Sequence, residues 1–303
     1  YKKTELLLTI LKSGDFRDDS GLYFTIGEFS FLSTVDANNL NWNNFPKNIT
    51  LFLSSFAGGA SGYPLCHEQI EDKIKLQITE KHQKNDLLIT TKNVRNIKPK
   101  YFLPYAGFFS EDAQRDSYIK IHNKKNTIPD YEKVLKDKTI LNVNKFNRYT
   151  FVDDQLYSTQ KIDLEKKIDN PEKWINDNLK NQIITTNDIV EYFRNSAFNA
   201  DLILVLSLTD DHFNLSDKNF ICDFSTSPTI IHKLNILDLM KEKSKKISTK
   251  RLLFIKARED SFSYLINNRL PWENLSIGFQ CKIDRVPDEY NEDFWYHFTN
   301  NYF

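Results

Sequence analysis

The chain has 303 residues, and its 41 Lys and Arg residues balance 41 Asp and Glu residues, so the formal net charge is zero. This balance argues against a nucleic-acid-binding protein that works through bulk positive charge. The length permits one large domain or two ordinary ones, and no apolar run approaches the about 20 residues of a membrane-spanning helix. Three widely spaced cysteines form neither a metal knuckle nor a disulfide framework, so we expect a reducing, cytoplasmic setting.

The N-terminal part is predicted to be rich in β-structure. Apolar and aromatic runs predict strands over Leu6–Leu11, Gly21–Ile26 and Phe29–Val35, with a turn at Gly27 between the last two. An Asn-rich loop follows. The apolar run Ile49–Leu53 then predicts a buried strand, which leads into a loop of small residues.

Helical spacing of apolar residues follows that loop. It predicts one helix over His67–Lys84 and a second over Asp86–Ile97, before a strand that begins near Lys100. The order strand, loop, helix, strand is what a βαβ layer requires. We therefore predict a layered α/β domain over residues 1–125.

The remainder is predicted to be a helical connector over residues 126–182 and an α+β module over residues 183–303, which has an ordinary domain size. The charged, Asn-rich character of residues 110–182 favours a connector. The elements predicted within the module are a helix over Asn187–Asn195, strands over Ala200–Leu208 and Phe220–Phe224, a Lys-rich helix over Ile231–Lys246, a strand over Arg251–Ala257 and a helix over Asp260–Asn267.

Asp36 is the candidate metal ligand. It ends the predicted strand Phe29–Val35 and precedes a polar loop, a position that metal-binding carboxylates occupy in layered α/β hydrolases. Capping of the loop is the structural alternative. The six histidines are dispersed, and none has the spacing of a local zinc or iron site.

The small-residue loop is the candidate substrate contact. Three of the eight glycines lie in it, and bare backbone can approach a ligand closely, although tight packing explains such a loop equally well. Arg17 precedes a strand and could hold a charged substrate group or lie in a solvated turn. Tyr105 lies at a third strand-to-loop transition. The predicted substrate-binding residues are Arg17, Ala57, Gly58, Gly59, Ala60, Ser61, Gly62 and Tyr105.

Several motifs in the same order resemble the CMP-N-acetylneuraminate hydroxylase family. The resemblance spans most of the chain and is weakest over residues 130–190. Its motifs are Thr34–Asp36, Phe56–Pro64, Pro104–Phe109, Tyr118–Lys120, Asn123–Asn126, Trp272–Gln280 and Asp293–Phe298.

The resemblance implies the C-terminal half of a metallo-β-lactamase-like αββα sandwich, followed by the α+β module. It also implies an iron-dependent hydroxylation of the N-acetyl group of a nucleotide-activated sugar to N-glycolyl. Asp36 would be an iron ligand, and Ala106 would stand where many hydrolases of this fold carry a histidine. Electrons would reach the site from a donor such as a cytochrome or ferredoxin, through a Rieske cluster.

The chain departs from this family in lacking the H-x-H-x-D-H iron motif and the Rieske Cys/His pairs. Because it also starts at Tyr1 without Met, we expect a C-terminal part of a longer protein, with a degenerate relative as the alternative. A metallo-β-lactamase-fold hydrolase of a phosphoester or lactone and a non-catalytic sugar-binding module are the other functional hypotheses.

Overall fold

The computed structural model describes residues 5–14, 19–35, 37, 45–55, 61–106, 111–142, 147–162, 170–225, 229–233 and 250–302. These residues form a mixed α/β protein, which confirms the predicted class. The strands are Leu6–Lys12 (β1), Ser20–Ile26 (β2), Phe29–Val35 (β3), Leu51–Ser55 (β4), Tyr101–Tyr105 (β5), Thr139–Ile140 (β6), Asn147–Val152 (β7), Gln155–Lys161 (β8), Leu202–Thr209 (β9), Leu215–Asp223 (β10), Thr229–Lys233 (β11), Arg251–Arg258 (β12) and Cys281–Val286 (β13).

The helices are mostly short. None of those described combines the length and the apolar character that crossing a lipid bilayer requires. They are Asp72–Ile97 (α1), Ser117–His122 (α2), Ile128–Val134 (α3), Pro171–Trp174 (α4), Thr186–Asn195 (α5), Glu259–Asn267 (α6), Glu273–Ile277 (α7) and Glu292–Tyr296 (α8), with a 3-10 turn at Gln114–Asp116 and π-helical turns at Ile175–Leu179 and His297–Asn301.

The chain divides into two compact units. The boundaries of the three segments predicted from the sequence, at residues 125 and 182, stay predictions. The first unit comprises Tyr1–Gly59, Gln77–Ser110 and Asn123–Lys167, and the second comprises Ala60–Leu76, Glu111–His122 and Ile168–Phe303.

A six-stranded sheet in the order β1-β2-β3-β4-β5-β6 forms the first unit. β1 to β3 are an antiparallel meander, and Gly27 turns β2 into β3 with a positive φ of 58° that glycine adopts without strain. β3 to β6 run parallel. Leu32, Phe52 and Phe102 lie side by side on one face and are fully buried. The side chains that pack over this face include Val94 and Ile97 from α1 and Ile128 and Tyr131 from α3.

The helix α1 corrects two predictions. It is one continuous helix of 26 residues, whereas we expect separate helices that meet near residue 85. The polar stretch there interrupts the apolar period, but it contains neither Gly nor Pro, so nothing stops the backbone from continuing. The predicted start at His67 is also wrong, because His67 makes an isolated parallel bridge with Ile283 and α1 begins at Asp72.

A β-hairpin, β7–β8, lies within the segment that we expect to be a helical connector. Val152 pairs with Gln155 across the two-residue turn Asp153–Asp154, and Asp153 has a φ of 51°, which Asp tolerates better than most residues. The Phe151 ring lies 5.1 Å from that of Phe29. The helical interpretation is therefore wrong over residues 147–161.

A five-stranded sheet in the order β11-β10-β9-β12-β13 forms the core of the second unit. β9 and β12 are parallel, and the other neighbours are antiparallel. The predicted Lys-rich helix is wrong at its start, because Ile231 lies in β11 opposite Ile221, and residues 234–249 lie outside the described residues. The largest fully buried aromatic side chains of this unit are Phe193, Phe220, Phe224, Phe262, Trp272, Phe294 and Phe298.

Candidate functional site

The carboxyl ends of three parallel strands meet at one edge of the first unit's sheet. Val35 at the end of β3 pairs with Ser54, and Ser55 at the end of β4 pairs with Tyr105 at the end of β5. In sheets of this kind, ligands bind at the carboxyl ends of the strands. We call this edge the strand-end site.

The predicted metal ligand and most of the predicted loop cannot be placed. Asp36 directly follows Val35 in the sequence and lies outside the described residues, as do Arg17 and residues 57–60. Tyr105 is the one predicted substrate contact that the structure places at the strand-end site, and its side chain is half-buried. The roles of all these residues stay predictions.

The backbone turns sharply where β5 ends. Ala106 has a φ of 70°, in the left-handed region that residues other than glycine seldom adopt. Such a residue redirects the chain directly after Tyr105. That Ala106 stands at the position of a metal-binding histidine stays a prediction, and its methyl group would supply no ligand.

Ser61 and Gly62 belong to the second unit. The Ser61 hydroxyl accepts a hydrogen bond from the Tyr63 N–H at 3.1 Å. A Cβ atom at Gly62 would lie 2.8 Å from the Ser276 carbonyl oxygen and 2.9 Å from the Cys66 Sγ, closer than real contacts allow. Tight packing is therefore sufficient to require glycine at this position, and a substrate role for it stays a prediction.

No group of three or more His, Cys, Asp or Glu side chains that could hold a metal ion occurs within the described ranges. The three cysteines do not fit an iron–sulfur cluster, because Cys66, Cys222 and Cys281 are all buried in the hydrophobic core of the second unit. The residues that the structure describes therefore fit neither a mononuclear iron centre nor a Rieske cluster.

The second unit contains a network of charged side chains that sequence analysis does not find. Arg115 Nη1 lies 2.7 Å from Asp260 Oδ2 and 3.1 Å from Asp211 Oδ1. Lys180 Nζ contacts the same two carboxylates at 3.1 Å and 2.7 Å. Two cations and two carboxylates thus form a closed ring, in which every cation contacts both anions.

A second buried arginine connects this ring to the rest of the unit. Arg258 Nη1 binds Asp116 at 2.5 Å, and its Nη2 donates to the Arg115 carbonyl at 2.6 Å. Arg258 Nη1 and Arg115 Nη2 both donate to the Gln280 amide oxygen. The side chains of Arg115 and Arg258 are only 6% and 3% exposed, so this hydrogen bonding is what makes their burial tolerable.

The network lowers the pKa values of its carboxylates. Burial alone would raise the pKa of Asp260, but Arg115 and Lys180 outweigh it and hold the pKa below its ordinary value. Burial would also raise the pKa of Asp211, but Lys180 and, to a smaller extent, Arg115 outweigh burial and lower it. Both aspartates are therefore ionised at neutral pH, which suits structural ion pairing and not proton transfer.

A cleft of about 380 Å³ opens beside the ring, where β9 and β12 end. Its walls carry four carboxylates and one lysine, with hydroxyl and amide groups between them. The lining residues are Lys180, Gln182, Thr209, Asp210, Asp211, Asn214, Leu215, Ser216, Glu259 and Asp260.

His67, which follows the small-residue loop, is neutral over the physiological range. Burial, followed by the charge of Arg285, lowers its pKa to about 4. Its Nδ1 lies 3.3 Å from the Gln69 side-chain nitrogen. This environment is that of a buried, hydrogen-bonded histidine, and no described metal-ligand group includes it.

Comparisons with known proteins address the chain as a whole. No protein-family model and no solved structure matches it. Curated relatives include the cytidine monophosphate-N-acetylneuraminic acid hydroxylases of Xenopus laevis, at 28% identity, and Macaca mulatta, at 27%, each over 88% of this chain and 47% of the relative. The "inactive" protein of that name from Homo sapiens is 27% identical over 88% of this chain and 55% of its own length.

The chain thus spans about half the length of the curated relatives it matches. The match, which covers 88% of this chain, includes parts of both units. The resemblance that the motifs predict is confirmed: over 88% of its length, this chain is similar to the cytidine monophosphate-N-acetylneuraminic acid hydroxylases.

Proposed function

We propose that this chain is part of a hydroxylase that converts the N-acetyl group of a nucleotide-activated sugar, such as CMP-N-acetylneuraminate, to an N-glycolyl group. The observation that carries the proposal is the extent of the similarity to proteins named for this activity, which covers 88% of the chain. In such a reaction one atom of dioxygen enters a methyl C–H bond as a hydroxyl group. The other atom leaves as water, after taking up two protons from solvent and two electrons from a donor such as a cytochrome or ferredoxin.

The strand-end site supports a substrate role for the first unit. Tyr105 lies where two neighbouring parallel strands end, and such ends are common ligand sites. The backbone amides of the small-residue loop and the guanidinium of Arg17 would suit the phosphate and carboxylate groups of a nucleotide sugar. Asp36, which follows the end of β3, would be the ligand that this chain gives to iron.

Iron and a Rieske cluster remain parts of the proposal that depend on residues outside the described ranges. The described residues lack a three-ligand group, and their cysteines are buried in a core. We therefore assign no step of the reaction to either group. In this proposal the chain supplies the surface that binds and orients the nucleotide sugar, together with the carboxylate of Asp36.

The decisive experiment uses the product of the complete reading frame that encodes this chain. It is incubated with CMP-N-acetylneuraminate, a reductant and ¹⁸O₂, and the product is analysed by mass spectrometry. We expect one labelled oxygen atom in the acyl group, and loss of turnover in Asp36→Ala. Asp137→Ala is the matched control, because its carboxylate is exposed and pairs only with the adjacent Lys138 among the described ion pairs.

Binding and turnover have to be measured separately, because one matched relative carries the word "inactive" in its name. Calorimetric binding of CMP-N-acetylneuraminate without turnover would favour the non-catalytic sugar-binding module. Metal-dependent hydrolysis of a phosphoester or lactone, without oxygen incorporation, would favour the hydrolase. Either result would contradict the hydroxylase proposal.

A further inference from the structure

A second cleft of about 380 Å³ opens in the second unit, where residues from the end of α6 and from the π-helical turn His297–Asn301 form its walls. This volume lies within the range of about 300–1,000 Å³ that small-molecule sites occupy. The walls combine two tyrosine rings, an aliphatic side chain, two carboxamides and a guanidinium group. We call it the tyrosine cleft. Its lining residues are Tyr192, Ile266, Arg269, Asn300, Asn301 and Tyr302.

The charge of the tyrosine cleft is opposite to that of the cleft beside the charged ring. The walls of that other cleft carry four carboxylates and one lysine. In the tyrosine cleft, Arg269 is the one charged residue among the described residues that line it. Arg269 is exposed, and within the described part of the chain its side chain makes neither an ion pair nor a hydrogen bond. An unpaired guanidinium in a cleft wall favours an anionic ligand.

The backbone places Arg269 where glycine is the usual residue. α6 ends in a Schellman motif, in which the Arg269 N–H donates to the Ile266 carbonyl at 3.3 Å. The Leu270 N–H donates to the Leu265 carbonyl at 3.0 Å and completes the motif. Arg269 has a φ of 51°, a left-handed conformation that glycine adopts without strain and arginine does not. Strained residues cluster at functional sites, and here the strained residue carries the unpaired charge.

The two tyrosines offer a ligand the surface of their rings. The Tyr192 hydroxyl accepts a hydrogen bond from Trp272 Nε1 at 2.8 Å, and the Tyr302 hydroxyl donates to the Tyr192 carbonyl at 2.9 Å. Both hydroxyl groups are therefore engaged within the unit. The two rings lie 4.9 Å apart and stay partly accessible. Ring surface of this kind stacks with flat ligand rings.

The carboxamides of the cleft come from an unusual helical turn. Asn300 and Asn301 end the π-helical turn, and such turns are rare and frequently lie at functional sites. The Asn300 amide donates to the Tyr296 carbonyl at 3.1 Å. The Asn301 carboxamide makes no hydrogen bond to any described residue. It is therefore available to donate to a ligand oxygen.

We infer that the tyrosine cleft binds a phosphate monoester joined to a flat ring, the chemistry of a nucleoside monophosphate. Arg269 binds the phosphate, because a guanidinium group donates two parallel hydrogen bonds to phosphate oxygens. The ring lies against Tyr192 and Tyr302, and such stacking tolerates any base because every base has a π-face. This site belongs to the second unit and shares no residue with the strand-end site. The inference does not depend on the reaction proposed above.

The first test compares two arginines within the native chain. Arg194 in α5 belongs to the same unit, is also exposed, has no side-chain partner among the described residues and does not line the cleft. Phenylglyoxal modifies accessible guanidinium groups, and peptide mass spectrometry gives the rate at each arginine. With AMP at about ten times its dissociation constant, the rate at Arg269 should fall about tenfold and the rate at Arg194 should not change, because the reagent reaches only the unoccupied fraction of the site.

The second test measures AMP affinity by calorimetry in variants whose folding is checked by circular dichroism. Arg269→Gln should weaken binding at least about tenfold, the effect of one lost hydrogen bond to a charged group, whereas the matched control Arg194→Gln should not. Arg269→Gly should lose the same affinity. Because glycine relieves the positive φ, this variant should melt at the native temperature or above, so its loss of binding cannot come from unfolding.

The inference would be overturned by equal slowing at Arg269 and Arg194, by an AMP affinity that Arg269→Gln leaves unchanged, or by no binding of AMP up to about 1 mM. Inorganic phosphate that protects Arg269 as well as AMP does would overturn the assigned ring in favour of a simple anion site. Adenosine that protects as well as AMP would overturn the assigned phosphate. The hydroxylase assay measures product formation, whereas these tests measure binding at Arg269, so the two proposals fail separately.

Discussion

The two sheets of this protein use the same residue types to different ends. In the second unit, β9 (Leu-Ile-Leu-Val-Leu-Ser-Leu-Thr) is buried on both faces, apart from partial exposure of Ile203. In the first unit, β1 is nearly as apolar, but only Leu11 is even partly buried. An apolar sequence of this kind therefore predicts a strand, and the layers packed against the strand decide whether it is buried.

The comparison fails most clearly if a core residue of the second unit and an exposed residue of β1 contribute equally to stability. Trp272 is fully buried, and its Nε1 donates to the Tyr192 hydroxyl at 2.8 Å. Trp272→Ala should lower the free energy of unfolding of the 303-residue chain by about 3–5 kcal/mol. Leu8→Ala should change it by less than about 0.5 kcal/mol. Urea titration followed by circular dichroism measures both changes, and a large effect of Leu8→Ala would contradict the exposure of this side chain.

A second contrast lies within the charged ring of the second unit. Arg115→Met removes a cation that is 6% exposed and leaves Asp260 with the partly exposed Lys180, so it should cost about 3 kcal/mol or more. Lys180→Met removes a 41% exposed cation and should cost about 0–1 kcal/mol. Thermal and urea unfolding of both variants test this order. Equal losses of stability would contradict the expectation that the more buried cation, Arg115, contributes more.

A smaller effect is expected at Gly62. Gly62→Ala forces a Cβ atom against the Ser276 carbonyl and Cys66, and overpacking of this kind costs about 1–3 kcal/mol. Ser61→Ala is a control for stability alone, since it removes the exposed hydrogen bond from the Tyr63 N–H and introduces no overpacking. The affinity for the nucleotide sugar is then compared between Gly62→Ala and the native chain, at a temperature at which both are folded. An affinity loss in Gly62→Ala without a loss of stability would favour substrate contact over packing.

The smallest effect is a pH dependence of the second unit. The folded pKa of Asp260 lies below its ordinary value of about 3.9, so the folded state binds fewer protons and gains stability above that pH. This contribution is lost as the pH falls through the folded pKa. The stability difference between the native chain and Asp260→Asn should therefore narrow below about pH 4. Melting temperatures at pH 7, 4 and 3 provide the measurement, and a constant difference would contradict it.

Much of the first unit could be predicted because its signals are local. Alternating and apolar runs locate β1 to β5, and Gly27 locates the turn between β2 and β3. The hairpin Asn147–Lys161 carries polar side chains on much of its surface, so it shows no clear alternation of apolar and polar residues. The length of α1 could not be predicted from periodicity alone, because polar residues interrupt the pattern without breaking the helix.

The candidate site residues also differ in how far the sequence predicts their position. Tyr105 could be placed at the end of a strand from the sequence, and the register of the sheet then brings it beside Ser55. The charged ring could not be predicted, because Arg115 meets partners 96 and 145 positions away. Asp210 and Asp211 have no recognisable partner in the sequence, since only the tertiary fold brings Arg115 and Lys180 to Asp211.

The topology of the second sheet has a consequence for the order of folding. β9 and β10 are adjacent in sequence and pair as a hairpin, whereas the parallel partner of β9, β12, begins at Arg251, 42 positions after Thr209. Closing a long loop costs more entropy than closing a short one, so local pairs form before distant ones. We expect β9, β10 and β11 to assemble first. When β12 then pairs with β9, it brings Arg258 and Asp260 to their partners, so the charged ring is completed as the last strands join the sheet.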